Sequence, residues 1–166
     1  MTTDAPDPFN LARFVRMQAR DYATALSELK AGRKRTHWIW YVLPQMKGLG
    51  SSQMSQIYGI ASFAEAQAYL AHPLLGLRLR ECLRILNQHE DTPASQILGE
   101  VDAMKFRSCL TLFQAADGPD SIFAEALKVF FNGAPDRRTL NLLAGQGERR
   151  DRMMVSVPRR RGRSWA

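Results

Sequence analysis

Histidine and cysteine are both scarce in this chain, with three and two among 166 residues. Cys82 and Cys109 have no CxxC spacing and no histidine pair beside them, so the donor set a zinc site needs is missing and no metal is expected. A disulfide would require an oxidising compartment. Each cysteine falls instead inside an apolar helical pattern, where a free thiol acts as a small core residue. No apolar run approaches the roughly 20 residues of a membrane helix. The opening MTTDAPDPFN lacks the basic flank and apolar stretch of a signal peptide. These absences point to a cytoplasmic protein without a membrane association. Also absent are a P-loop, a dinucleotide fingerprint and a readable nucleophile–base pair. The sequence therefore names no cofactor and leaves open whether the protein is an enzyme.

Acidic residues are in deficit, and the formal charge is +7. That excess is unevenly placed. From Glu148 onward seven arginines stand against two acids, which leaves only +2 for the rest of the chain. Residues 145–166 read as an arginine-rich, unstructured tail because they carry little apolar content. Such a tail offers nucleic acid only non-specific phosphate contacts, and it says little about the body at 7–144.

The body is punctuated like a series of helices. Asp7-Pro8 is a cap followed by a first-turn proline. Leu11, Phe14, Val15, Gln18, Tyr22, Leu26 and Leu29 then form a stripe at helical spacing, less regular at Arg20-Asp21, where one helix could become two. Gly32 stops it. Ser62 with Glu65 is a capping box opening a helix to about Ala71. His72-Pro73 separates that helix from an apolar one reaching about Gln88, and Thr92-Pro93 to Gly99 bounds a two-turn helix. Met104 to Phe113 is apolar on several sides, as a central helix is. Ile122 to Phe131 makes the next stripe, and Asp136 caps a last helix carrying Leu140, Leu142 and Leu143. The stretch His37–Leu43 alternates like a strand, but no second strand candidate exists to pair its backbone. It reads as a short helix capped by Thr36 and ended before Pro44. The expected fold is all-α: a single orthogonal domain of about seven or eight helices, not an up-down bundle.

The densest stretch is RKRTHWIWYVLPQMKGLGSS, residues 33–52. Together with FNLARFVRMQ, YLAHPLLGLRLREC, LGEVDAMKFRSCLTLF and FNGAPDRRTLNLL it resembles, in order, a family of uncharacterised bacterial and fungal proteins. That family is numbered 1810 in the domain-of-unknown-function series and is typified by a mycobacterial hypothetical protein. The resemblance covers roughly residues 7 to 144. It implies an all-helical single domain and no established activity, substrate or catalytic residue. The name calpastatin, sometimes attached to the family, finds no matching inhibitory repeat here. At Lys105–Cys109 the chain departs from the family pattern, which favours a serine pair and leucine.

Within residues 33–52, Lys47, Gly48, Gly50, Ser51 and Ser52 precede a helix, so free amides and hydroxyls there form a local recipe for an anion. The same residues also make a tight connection with an ordinary serine cap. Arg35 could join that anion through its fork of donors, or simply be a solvated helix end. His37 is the one candidate for a general acid or base, set against a structural histidine in an aromatic cluster. Trp40 could stack on a ligand, although such rings more often anchor a core. Asp102, Lys105 and Ser108 share a helix face; Asp102 and Lys105 could pair, with Ser108 left for a ligand. The leading expectation is a helical module binding an anionic small molecule, a nucleotide or phosphorylated metabolite, at residues 33–52. The alternative is a structural or protein-interaction module without a small ligand.

Overall fold

The computed structural model describes residues 6–155, with side chains through Gly147. Nine helices occur among them: α1 (Ala12–Lys30), α2 (Ile39–Val42), α3 (Gln53–Tyr58), α4 (Phe63–Ala71), α5 (Leu75–Gln88), α6 (Ala94–Leu98), α7 (Glu100–Asp117), α8 (Ile122–Phe131) and α9 (Arg137–Val155). Instead of a strand there is an isolated parallel pairing of Met46 with Ile60, in which Lys47 N donates to Ile60 O and Ile60 N to Gln45 O. The fold is all-α, and no described helix is long and apolar enough to cross a membrane.

α7 lies at the centre because both of its faces are apolar: Ala103, Phe106, Cys109, Leu110, Leu112 and Phe113 are all buried. It packs against α4, α6, α8 and α9, while α5 bridges α1, α4 and α8. A chain of rings runs through the core, from Tyr41 through Tyr58, Phe14, Tyr69 and Phe113 to Phe123, at centroid separations of 5.1–6.0 Å. Edge-on and tilted contacts at that range add to the burial of the rings.

Buried polar groups join the helices where apolar packing does not. Arg13 of α1 donates to the carbonyls of Phe9, Asn10, Ile57 and Gly59, and its Nη2 meets Glu65 Oε2 of α4 at 2.7 Å. Glu65 was expected to close a capping box. Ser62 Oγ does accept the Glu65 amide, but the Glu65 carboxylate reaches Ala61 N and Arg13 instead. Both outer histidines have structural bonds. His72 Nδ1 accepts the amides of Leu74 and Leu75 at the start of α5, and His89 Nε2 lies 2.8 Å from Leu29 O at the end of α1. They satisfy backbone groups that helix ends leave without partners.

Four expectations are corrected. α1 passes through Arg20-Asp21 unbroken, because Gln18 is buried on its inner face and donates to Tyr41 O and Tyr69 Oη. Thr36 does not cap α2; the N-cap is Trp38, and Thr36 Oγ1 donates to Glu28. α2 and α3 are short enough that the count reaches nine, where seven or eight were expected. The last helix also runs beyond 144, through residues 145–155 that read as unstructured tail, while residues 156–166 lie outside those described.

The extension of α9 is docked. Gln146 Nε2 donates to Ala61 O at 2.7 Å, and Gln146 Oε1 accepts the Phe63 amide at 3.2 Å, so α9 covers the entry to α4. Replacing Gln146 with Ala removes both bonds. The expected loss is about 1 kcal/mol, or roughly 2–4 °C in a thermal melt. An unchanged melting temperature would show that these two bonds add nothing to the fold.

Candidate functional site

The residues expected to form one site divide between two places. Glu28, on the inner side of α1, organises the first. The amides of Arg35 and Thr36, the hydroxyl of Thr36 and the indole N–H of Trp38 all donate to its carboxylate, the last at 3.1 Å. Burial opposes ionisation of Glu28, but the bonds from Thr36, Arg35 and Trp38 outweigh it and hold the carboxyl below its ordinary range. Residues 33–38 are thus fastened from beneath, and Trp38 is plain core. Arg35 and His37 project from this loop and are exposed. The His37 carbonyl accepts from the Tyr41 hydroxyl, which also donates to Asp21. Burial and that bond to Asp21 push the Tyr41 hydroxyl up to about 12.

The glycine-serine turn is equally committed to its own structure. Ser52 Oγ accepts the Ser55 amide at 3.1 Å and lies 2.8 Å from Ser55 Oγ. A Cβ on Gly50 would sit 2.6 Å from Ser55 Oγ, so this glycine makes room for the serine pair. Gly48 has φ +101°, a conformation glycine adopts without strain, and packs toward Leu142 of α9. Lys47 and Ser51 are exposed. With α3 only six residues long, its start is a capped turn.

The second place lies on α7. Lys34 Nζ, with a side chain only 7% exposed, meets Asp102 Oδ2 at 2.9 Å, and Lys105 Nζ approaches Asp102 Oδ1 at 3.6 Å. The two ammonium groups also lie 5.2 and 4.8 Å from the ring centroids of Trp38 and Trp40, within cation–π range. Trp40 Nε1 is buried without a partner among the described residues. The Asp102–Lys105 pairing expected from their spacing is therefore present, with Lys34 as the closer partner.

Beside this cluster is a cleft of about 240 Å³ lined by Gln45, Leu49, Val101, Met104, Lys105, Arg107, Ser108, Asp136 and Arg138. It takes Lys105 and Ser108 from the expected set. Arg35, His37, Trp40, Lys47, Gly48, Gly50, Ser51 and Ser52 do not line it. The cleft forms because Asp136, capping α9, accepts from Thr139 N at 3.0 Å, Thr139 Oγ1 and Ser108 Oγ. Thr111 Oγ1 of α7 in turn accepts the Asp136 amide at 2.8 Å. Arg107 Nε donates to Ala134 O at 2.8 Å and Arg138 Nη2 to Leu49 O at 3.1 Å, which aims both guanidinium groups. Neither has a carboxylate within salt-bridge distance among the described side chains.

Arg107 and Arg138 had no distinguishing signal in the sequence. Arg138 follows a helix cap and reads as solvated; only the seating of α9 on α7 sets it opposite Lys105. Among the described residues no three His, Cys, Asp or Glu side chains gather as a metal site would require. Burial pushes the Cys82 thiol up to about 12 and raises Cys109 as well. An aromatic disulfide reagent at pH 8 is thus expected to find no reactive thiol in the folded protein and two after denaturation. Rapid native labelling of either cysteine would contradict their placement in the core.

Comparison with known proteins agrees with this architecture. The conserved hypothetical protein Rv1873 from Mycobacterium tuberculosis, known from a crystal structure, is 48% identical, with a TM-score of 0.81 over 83% of this chain and 99% of that one. No curated protein matches. The family described as protein of unknown function DUF1810 matches residues 8–143, and the chain belongs to that family.

Proposed function

We propose that this domain is a binding module whose ligand presents an anionic group to the cleft between α7, the Gln45–Leu49 turn and the start of α9. The observation that carries this reading is the convergence of Lys105, Arg107 and Arg138 on one cleft with a single carboxylate, Asp136, already engaged by Thr139 and Ser108. Arginines held by backbone carbonyls keep other N–H groups for a phosphoryl or carboxylate oxygen, and charge-assisted bonds of that kind are strong. Of residues 33–52 only Gln45 and Leu49 line this cleft, and the hydrogen-bonding groups of the rest are largely occupied by Glu28, Ser55 and Ile60.

Titration calorimetry with pyrophosphate, nucleoside monophosphates, sugar phosphates and dicarboxylates tests the proposal. Saturable binding tighter than millimolar, lost in an Arg107→Ala/Arg138→Ala double variant and weakened by salt, is the expected result. Heats of dilution alone, both across the panel and with an acidic peptide, would sink it. The alternative reading as a protein-interaction module has its own support in the exposure of Val101 and Met104 beside the cleft.

A further inference from the structure

Val101 and Met104 are 68% and 72% exposed, the two highest values for large apolar side chains among the described residues. Both line the cationic cleft. On a helix the steps from Val101 to Met104, Lys105 and Ser108 are three, four and seven residues, so these side chains share one face of α7. That face therefore presents apolar surface and positive charge side by side. The cleft itself, at about 240 Å³, is smaller than the roughly 300–1,000 Å³ that encloses most small-molecule ligands. An anionic group fits inside it, but the rest of any ligand must lie outside, over Val101 and Met104. A highly polar metabolite gains little from that apolar rim.

We infer that the occupant is an acidic segment of a protein partner, with carboxylates entering the cleft and a large apolar side chain resting on Val101 and Met104. The inference rests on the anion-binding reading above and names the class of ligand. Charge complementarity selects the acids: Arg107 and Arg138 face the cleft with Lys105, whose partner Asp102 is shared with Lys34, and the lining carboxylate Asp136 already accepts three hydrogen bonds at Oδ2. The bonds from Arg107 to Ala134 O and from Arg138 to Leu49 O hold the guanidinium groups in place before a partner arrives. Less ordering cost then falls on association. Methionine suits the apolar part because its flexible thioether adapts to differing side chains. Basic clusters reading acidic motifs are a recurring mode of peptide recognition.

The test uses the full chain and fluorescence anisotropy with a labelled acidic peptide that alternates Asp/Glu pairs with Leu and Phe. Two control peptides replace either the acids by Asn and Gln or the apolar residues by Ser. Arg138→Ala and Met104→Ser are both surface changes. Each is expected to weaken the acidic-apolar peptide about tenfold, a loss of about 1.4 kcal/mol, and each control peptide is expected to bind correspondingly worse. Equal binding of the Ser-substituted peptide, with no effect of Met104→Ser, would overturn the inference. If phosphate or succinate still bound through Arg138 in that case, the anion-binding reading would stand. Tighter, Arg138-dependent binding of single-stranded DNA than of the peptide would overturn the inference in favour of nucleic acid. Failure of the peptide, phosphate and succinate alike would remove both readings.

Discussion

Gly76→Ala is expected to destabilise the protein by about 3 kcal/mol or more, the upper part of the range for overpacking. Gly76 lies in the first turn of α5, where a Cβ would sit 2.1 Å from the carbonyl oxygen of Leu70 and 2.9 Å from its carbonyl carbon. Both are backbone atoms in the last turn of α4, so no side-chain rotation relieves the clash and one helix must move off the other. α5 also packs on α1 and α8, so the displacement is not local. For a domain of this size the loss corresponds to a fall of roughly 6–12 °C in melting temperature. Gly145→Ala supplies the contrast. A Cβ there meets nothing within 4 Å, and the residue is inside α9. Its helix propensity is then expected to raise stability by about 0.5–1 kcal/mol. Equal melting temperatures for Gly76→Ala and wild type would refute the close crossing of α4 and α5.

Glu28→Ala is expected to cost about 3 kcal/mol, because the indole N–H of Trp38 and the amides of Arg35 and Thr36 lose their acceptor together. Glu28→Gln keeps the shape and one oxygen, so about half that loss is expected from the weaker, uncharged acceptor. The pH dependence separates charge from packing. The folded carboxyl titrates below its ordinary value of 4.5. Its contribution is therefore complete above about that pH and is lost as pH falls through the lower folded value. Chemical denaturation between pH 3 and pH 6 should show wild-type stability falling at the acid end more steeply than that of Glu28→Gln. Parallel curves would mean that Glu28 acts through shape alone. The charge is buried among donors, so added salt should leave the difference largely unchanged.

Much of the helix order was legible because its signals are local. Ser52, Ser62 and Asp136 each accept a backbone amide three residues on, and that geometry belongs to one turn of chain. The centrality of α7 was likewise written in apolar residues on more than one side of Met104–Phe113. Residues 33–52 stood out for a related reason, since many rings and glycines occur together. Much of that density lies in the core: Trp38, Ile39, Tyr41, Val42 and Leu43 are buried, and the glycine beside Ser55 clears space. Composition marks density of constraint, and a core imposes constraint as strongly as a binding site does.

By itself the sequence determined an all-helical domain, the caps of α3, α4 and α9, the stops of most helices, the family, and the one-turn spacing that lets Asp102 meet Lys105. The tertiary structure alone decided that Glu28 fastens residues 33–38, that Gln146 ties α9 to α4, and that Lys34 is the nearer partner of Asp102. It also decided where the cations converge. Lys105 and Arg138 are separated by more than thirty positions, and Arg138 meets Leu49 across eighty-nine. No periodicity spans such distances, because helix propensity and capping act over a few residues. The seating of α9 on α7 and the Gln45–Leu49 turn depends instead on which apolar faces bury one another.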